Sequence, residues 1–163
     1  MELTTRGRYA VMAMADLARQ SAGQPGGGEP VALAAIAERQ KLSLAYLEQL
    51  YARLRRAGIV VSARGRSGGY TLGRPASEIS IADILTAVEE ETRMTRCSGD
   101  GDAGCLGETR CITHGLWQAL GAHIAQFFTS VTLQDVIDGG PHALGGQAHI
   151  GQTEAESERF AAE

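Results

Sequence analysis

The sequence predicts a mainly α-helical protein with one small β-hairpin and one long helix beyond it. Apolar side chains recur at three- and four-residue spacing in several separate segments, which is typical of amphipathic helices. The segment 59–74, "IVVSARGRSGGYTLGR", instead has two short strand-like runs around a glycine-rich centre, which predicts a hairpin. The length of 163 residues leaves room for one compact domain and a tail.

The first predicted helix begins after a threonine cap, Thr4 or Thr5, and ends at about Gln20. Its inward residues recur at helical spacing and are Tyr9, Met12, Ala13 and Leu17. The next segment, "AGQPGGGEP", lacks the Gly-Lys-Ser/Thr ending of a phosphate-binding loop. We therefore expect a flexible connector there.

A helix-turn-helix is predicted at about 33–56. In its first helix, "VALAAIAERQ", the inward residues are Leu33, Ile36 and Ala37, and "KLS" forms the turn. Its second helix, "LAYLEQLYARLRRAG", is expected to begin at a Ser43 cap and to stop at Gly58. Two helices joined by so short a turn form the motif that places its second helix in the major groove of DNA.

The second helix of this motif is apolar on one face and polar on the other. The inward residues are Leu44, Leu47, Leu50, Tyr51 and Leu54, and the outer residues are Ala45, Glu48, Gln49, Arg53 and Arg56. The hairpin that follows, the wing at about 59–74, has Arg64 and Arg66 at its tip. Such a wing suits the minor groove or the phosphates beside a recognition helix, so we expect a winged helix in 1–75.

The charge of the chain is distributed unevenly. Residues 1–75 contain eleven Lys or Arg and five acids, a balance of +6, whereas 76–163 contain four Arg and fourteen acids, a balance of −10. A basic half beside an acidic half indicates that one end meets a polyanion. Together with the winged helix, this balance predicts double-stranded DNA as a partner.

Three more helices are predicted beyond the wing. "SEISIADILTAVEEE" starts with Ser80 and Asp83 spaced as a capping box, and "TLQDVIDGG" forms a short last helix capped by Thr132. Between them, "ITHGLWQALGAHIAQFFTSV" forms a long helix with an apolar stripe, namely Ile112, Leu116, Leu120, Ile124, Phe127 and Val131.

The stripe on this long helix predicts a homodimer. The winged domain is too small to cover both the stripe and its own core, so a second copy of the chain is the expected cover. We assign dimerisation to 76–138. Gly, Ala, Gln and acids dominate 139–163, which predicts a disordered tail.

All three cysteines lie within 97–114, in the pattern Cys97-x7-Cys105-x5-Cys111-x2-His114. Gly and Asp dominate the first gap, so the loop has no apolar core and a bound group is expected to order it. Cys111 and His114 lie three residues apart at a helix start, hence on one side, where the helix dipole favours a thiolate. Clustered cysteines in a reducing compartment indicate metal binding or redox chemistry.

Three thiolates and one imidazole suit either a tetrahedral zinc ion or an iron–sulfur cluster. With zinc, the chain would be a nucleic-acid-binding protein with a structural Cys3His site, similar in spacing to fingers that bind single-stranded RNA. Those fingers carry aromatic residues for base stacking, and 97–114 has none. Zinc is also redox-silent, whereas a cluster can be gained or lost with iron and oxidant.

The composition excludes other classes of protein. The sequence contains no run of about 18 apolar residues, which a membrane-spanning helix would need. The N-terminal segment also has no small-residue cleavage site of a signal peptide. We therefore expect a cytoplasmic location and no membrane contact. No nucleophile with an adjacent base is recognisable outside the cysteine segment, so we do not expect an enzyme.

Three segments, "MELTTRGRYAVMAMADLA", "LSLAYLEQLYARLRRAGIVVSARGRSGGYTLGR" and "TRCSGDGDAGCLGETRCITHGLWQAL", resemble the IscR family of iron–sulfur cluster regulators. The resemblance runs from residue 1 to about 138. It implies a homodimeric winged-helix transcription factor that binds a 2Fe-2S cluster through Cys97, Cys105, Cys111 and His114. It also implies cluster-dependent control of cluster-biogenesis genes, mostly by repression and sometimes by activation, with the cluster assembly machinery as donor.

The resemblance also implies which residues contact DNA. Glu48 and Gln49 match the base-contacting part of the recognition helix, and Arg64 matches the minor-groove arginine of the wing. The full set of predicted DNA contacts is Ser43, Tyr46, Glu48, Gln49, Arg53, Arg64 and Arg66. This chain departs from the family pattern in two places: the gap from Cys97 to Cys105 is longer, and Ala45 replaces a hydroxyl residue.

Overall fold

The structure, a computed structural model, describes residues 3–22, 25, 29–65, 68–90 and 110–140. Its elements in chain order are α1 (Thr5–Gln20), α2 (Leu33–Gln40), α3 (Leu44–Arg56), β1 (Val60–Ala63), β2 (Gly69–Leu72), α4 (Ile81–Ala87), α5 (His114–Ser130) and α6 (Leu133–Ile137). A 3₁₀ turn, Ala76–Glu78, precedes α4. The predicted fold class, mainly helical with a small hairpin wing, is confirmed. Arg66, Cys97, Cys105 and 141–163 of the predicted tail lie outside the described residues.

Side-chain caps set the start of three helices. The Thr4 hydroxyl accepts a hydrogen bond of 3.2 Å from a backbone N–H of the first turn of α1. Ser80 and Asp83 form a reciprocal capping box at α4, and Thr132 and Asp135 form another at α6. Each cap gives an acceptor to N–H groups that have no partner within the helix. These three of the four predicted caps are confirmed.

The hydrophobic core surrounds α1, which contacts α2, α3, α4 and α6. The α4 and α6 helices share this core because the chain returns to it after α5: Ile81 N donates to Val131 O at 2.9 Å, and Leu133 N donates to Ile79 O at 2.8 Å. Val131 and Leu133 are buried. The division at residue 75 is therefore one of proposed function, since a single core crosses it.

The wing is anchored by the segment before α2 as well as along its own ladder. β1 and β2 pair antiparallel, with Val60 opposite Leu72. Val31, just before α2, exchanges two backbone hydrogen bonds of 2.9 Å with Tyr70. Gly69 is required for this approach, because a Cβ there would lie 2.5 Å from the Val31 carbonyl oxygen.

Two residues predicted to face inward are exposed. Leu44 and Met12 are each 40% exposed. Leu44 is the first residue of α3 and lies one turn before the first buried position, so it projects past the edge of the core. Met12 lies two positions from both Ala10 and Met14, about 200° around the helix from these buried residues.

The predicted long helix is shorter than its apolar stripe. Ile112 precedes α5 and is fully exposed, whereas Val131 follows α5 and is buried in extended backbone. α5 begins at His114, after a turn in which His114 N donates to Cys111 O at 3.0 Å. Ser43 occupies the N-cap position of α3, as predicted, but its side chain makes no capping hydrogen bond.

Candidate DNA-binding surface and cluster-binding turn

A buried carboxylate on α1 holds α2 in place. Asp16 is 6% exposed and accepts hydrogen bonds from Arg39 Nε at 3.1 Å and from Gln40 Nε2 at 2.6 Å. Burial opposes the ionisation of Asp16, but the hydrogen bonds from Arg39 and Gln40 and the charge of Arg39 lower its pKa below the usual value. Removing Arg39 would leave the buried Asp16 carboxylate without its countercharge, so this contact constrains the position of α2.

Tyr51 joins α3 to both α1 and the wing. Its hydroxyl donates to Ala13 O at 3.0 Å, and its ring meets that of Tyr70 edge-on, with 4.9 Å between ring centroids. The side chain is fully buried, and burial raises the pKa of Tyr51 above its usual value. Edge-to-face aromatic pairs add about 0.5–1.5 kcal/mol beyond area burial. The recognition helix and the wing are therefore packed as one unit.

The outer face of α3 presents predicted DNA contacts to solvent. Ser43, Glu48 and Gln49 are exposed. Tyr46 is only partly exposed, because its ring packs edge-on against Tyr9 with 6.2 Å between centroids. An exposed polar face on the second helix of a helix-turn-helix is the surface that enters a major groove.

The tip of the wing is a tight turn that begins at Arg64. Arg64 is exposed, and the next residue, Gly65, has a φ of +117°, which favours glycine. Gly68 N donates to Gly65 O at 2.9 Å, and a Cβ at Gly68 would lie 2.8 Å from that oxygen. Arg64 thus comes directly after β1, beside a hydrogen bond that closes the wing between Gly65 and Gly68.

The Arg53 side chain is held by an acid that the sequence did not single out. Glu89 lies two residues beyond α4, and its carboxylate accepts a hydrogen bond from Arg53 Nη1 in an ion pair. Arg53 was predicted to contact DNA. It lies one turn after Gln49 on α3, so the ion pair is at the border of the predicted DNA surface.

Glu90, three residues after the end of α4, accepts hydrogen bonds at the start of α1. Its carboxylate accepts hydrogen bonds from Thr4 N at 2.7 Å and from the Thr4 hydroxyl, with Arg6 4.0 Å away. Burial opposes ionisation, but the bonds from Thr4 and Gly7 and the charge of Arg6 lower the pKa of Glu90. One signal was available in the sequence: Gly7 lies inside a predicted helix, and a Cβ there would be 2.8 Å from Glu90 Cγ.

Cys111 and His114, two of the four predicted ligands, lie together at the turn that opens α5. Both are partly exposed. Cys111 Sγ lies 3.5 Å from Thr113 Oγ1, which also accepts a hydrogen bond of 3.2 Å from Trp117 Nε1. Within the described part of the chain, no three His, Cys, Asp or Glu side chains are close enough to hold a metal ion. The other two predicted ligands, Cys97 and Cys105, lie outside the described residues.

The α5 helix buries none of its seventeen residues. Its C-terminal part packs against the core through Phe127 and Phe128, whereas Leu116 is 60% exposed and Trp117 is 36% exposed. The apolar surface at the start of α5 is therefore open within the described part of the chain. As a separate point, no helix in the described ranges is both long and apolar enough to cross a membrane.

The geometry can be compared with known proteins. A family model described as Rrf2, iron-dependent transcriptional regulator, matches residues 3–139. The chain belongs to the Rrf2 family. Among Rrf2 relatives, the HTH-type transcriptional regulator IscR of Serratia proteamaculans (strain 568) is 50% identical over 138 residues, which are 85% of this chain and 80% of the relative. The HTH-type transcriptional regulator IscR of Yersinia pestis is 49% identical over the same shares.

Solved structures of Rrf2-like regulators have the same fold. The structure of T. potens IscR has a TM-score of 0.66 and 35% identity, covering 91% of this chain and 95% of that one. The structure of CymR, the global cysteine regulator of B. subtilis, has a TM-score of 0.69 and 31% identity, covering 85% and 97%.

The comparisons decide the class of protein. This Rrf2 chain is a DNA-binding transcriptional regulator of the helix-turn-helix type, as predicted, and not an enzyme. They give no support to the alternative of a zinc-stabilised nucleic-acid-binding protein. The individual DNA contacts and cluster ligands stay predictions.

Proposed function

We propose that this regulator is a homodimer that binds a 2Fe-2S cluster through Cys97, Cys105, Cys111 and His114, and that cluster occupancy changes which operators it binds. Its proposed targets are iron–sulfur cluster biogenesis genes, mostly repressed and in some cases activated. It would act in the cytoplasm, with the cluster assembly machinery as donor. The observation that carries the proposal is the position of Cys111 beside His114 at the open end of α5.

The residues present fit such a cluster. Thiolates with an imidazole form a known ligand set for 2Fe-2S clusters, and the start of α5 is the end of the helix that favours anionic ligands. The Thr113 hydroxyl lies within reach of Cys111 Sγ, so it can donate a hydrogen bond to a thiolate there. When bound, the cluster would supply a redox-active centre whose presence depends on the supply of iron. Because His114 is the first residue of α5, any constraint on its imidazole also constrains the first turn of that helix.

The exposed surface of α5 supports the dimer. Leu116 and Trp117 follow directly after the turn with Cys111 and His114, so dimer contacts and cluster ligands would adjoin. A second copy of α5 would cover apolar area that the single chain leaves in water. Changes at the turn could then reach both recognition helices through the relative position of the two subunits.

On the DNA side, we expect Glu48 to have the clearest effect on sequence preference. An exposed carboxylate on α3 can accept a hydrogen bond from the amino group of cytosine, but it repels phosphates and disfavours other bases. If cluster occupancy changes operator preference, linkage requires cluster-selective operator DNA to tighten cluster retention by the same factor. Equal cluster retention with and without such DNA would refute the coupling.

The direct test is metal analysis of protein purified without oxygen. We expect iron and sulfide in equal amounts, no zinc, and a visible absorption spectrum. Alanine at any one of the four proposed ligands should remove the colour and leave cluster-independent DNA binding intact. Colourless protein that contains zinc would overturn the cluster proposal.

Trp117 offers a second readout from within the chain. It is the single tryptophan, and its indole is linked through Thr113 to Cys111. We expect cluster loading to quench its fluorescence, and we expect Cys111→Ala to abolish that change. Ala at His123, a histidine of α5 that is not a proposed ligand, is the matched control and should leave the quenching unchanged.

A further inference from the structure

The ion pair between Glu89 and Arg53 connects the end of α4 to the recognition helix. The two residues are 36 positions apart, and Arg53 Nη1 donates to Glu89 Oε2. The Glu89 side chain is 69% exposed and that of Arg53 is 31% exposed. An exposed pair of this kind contributes little to stability, so stability alone does not account for the acid.

The backbone at Glu89 is in a conformation that glycine would adopt more easily. Its φ is +57°, in the left-handed region, and its N–H donates to Thr86 O at 3.0 Å to end α4. Helices commonly end in glycine at such a position, because a Cβ is disfavoured in the left-handed region. The next residue, Glu90, is fixed by its bonds to Thr4. The Glu89 carboxylate is thus held beside α3 by a rigid turn.

Arg53 is placed to contact the DNA backbone. It lies one helical turn after Gln49 and belongs to the basic last turn of α3, with Arg55 and Arg56. An arginine at the border of a major-groove helix binds phosphates, a contact that strengthens binding to any sequence. A carboxylate on the same guanidinium competes with phosphate for its N–H donors and also repels the phosphate directly.

We propose that Glu89 is a positioning residue for DNA binding, which holds Arg53 and limits the sequence-independent part of the affinity. The inference rests on the proposed use of α3 as the DNA-contacting helix, but not on the cluster. Its consequence is specific: removing the carboxylate should tighten binding to every duplex by a similar factor, whereas a change at a base-contacting residue should alter the preference among sequences.

The test uses the full-length, cluster-free protein and two probes: a duplex selected by the wild type from a random pool, and the unselected pool itself. We expect Glu89→Gln to tighten binding to both about fivefold and to steepen the salt dependence by about one counterion. Glu89→Gly should tighten binding equally and also stabilise the fold, since it relieves the positive φ. Glu78→Gln, an exposed acid in the 3₁₀ turn, is the control for net charge.

A double-mutant cycle tests whether Glu89 acts on DNA binding through Arg53. Arg53→Gln should weaken binding to both probes, and in that background Glu89→Gln should have little further effect. The inference is overturned if Glu89→Gln matches Glu78→Gln, or if its effect persists without Arg53. Gln49→Ala tests the proposed DNA interface independently of the role of Glu89. If Gln49→Ala leaves binding to the selected duplex unchanged, α3 is not the base-contacting helix and the proposed interface is wrong.

Discussion

The helices α3 and α5 differ in what their outer surfaces offer. α3 has thirteen residues and buries four of them, Leu47, Leu50, Tyr51 and Leu54. α5 has seventeen and buries none. The outer face of α3 carries charged side chains, whereas α5 contains no Asp, Glu, Lys or Arg.

This difference distinguishes two kinds of partner. A helix with its apolar face covered and its polar face charged is stable on the single chain and suits a polyanion. A helix without charged residues that is still exposed requires another apolar surface. Substitutions in α3 should therefore affect the folding of each subunit or the binding of DNA, whereas substitutions at the start of α5 should affect assembly.

The largest expected effect is on the buried face of α3. Leu54 is fully buried, and Leu54→Ala should lower the free energy of unfolding by about 3 kcal/mol, through lost burial and the cavity it leaves. Urea denaturation at fixed protein concentration measures this loss. The matched control is Leu44→Ala on the same helix, which should cost less than about 1 kcal/mol because Leu44 is 40% exposed. Equal losses would show that the two positions do not differ in burial.

The second effect is on the open face of α5. Leu116→Gln should weaken dimerisation about thirtyfold, the effect of a typical central interface residue, and should leave the folding of the single subunit nearly unchanged. Sedimentation across a range of concentrations measures the dissociation constant. Gln118→Ala, an exposed polar position on the same helix, is the control. A dimer as tight as the wild type would show that the partner lies elsewhere.

A smaller effect concerns acid pH at the contact between α4 and α1. The pKa of Glu90 is lowered from about 4.5 in the folded chain, so its carboxylate stabilises the fold above that value, and this contribution is lost as the pH falls through the lower folded pKa. Glu90→Gln should be about 1–2 kcal/mol less stable at neutral pH, and the difference should shrink below about pH 4. The Glu90→Gln variant should still lose stability at acid pH, in part because the pKa of Asp16 is also lowered.

Urea midpoints measured from neutral to acid pH would test this prediction. Glu78→Gln, a substitution of the same chemistry at an exposed position, is the matched control. A constant deficit of Glu90→Gln at all pH values would indicate that packing, rather than charge, is lost at this position.

The smallest effect is expected at the wing. Arg64→Ala should reduce the salt dependence of DNA binding by about one counterion and should leave cluster absorption unchanged. Affinity measured at several salt concentrations gives this slope. Arg19→Ala, an exposed arginine at the end of α1 and outside the predicted DNA surface, should leave the slope as it is.

Local patterns predicted most of the fold. The caps at Thr4, Ser80 and Thr132, the buried face of α3 and the wing all depend on residues within a few positions of each other. The inward assignments failed at Leu44, which projects past the edge of the core, and at Met12, which lies about 200° around α1 from the buried Ala10 and Met14. At Leu44, periodicity gives the direction of the side chain, but not where the core ends.

Contacts between distant parts of the chain were not predicted. Glu89 and Glu90 belong to a run of three acids at a helix end, which looks like a solvated terminus. Their partners, Arg53 and Thr4, are 36 and 86 residues away, so no local spacing connects them. For the cluster site, the residues alone left zinc and iron–sulfur chemistry open, and only the resemblance to known regulators distinguished them.

The pairing of Val31 with Tyr70 means that the connector before α2 both joins α1 to α2 and reaches the wing. Because both hydrogen bonds of this bridge use backbone atoms, side-chain changes at Val31 need not disturb it, whereas a deletion that shortens the connector would pull Val31 away from Tyr70. Insertions among the glycines of 23–28 lie upstream of that anchor and can be absorbed. Length variation among homologous connectors should therefore be one-sided, with additions common and losses rare.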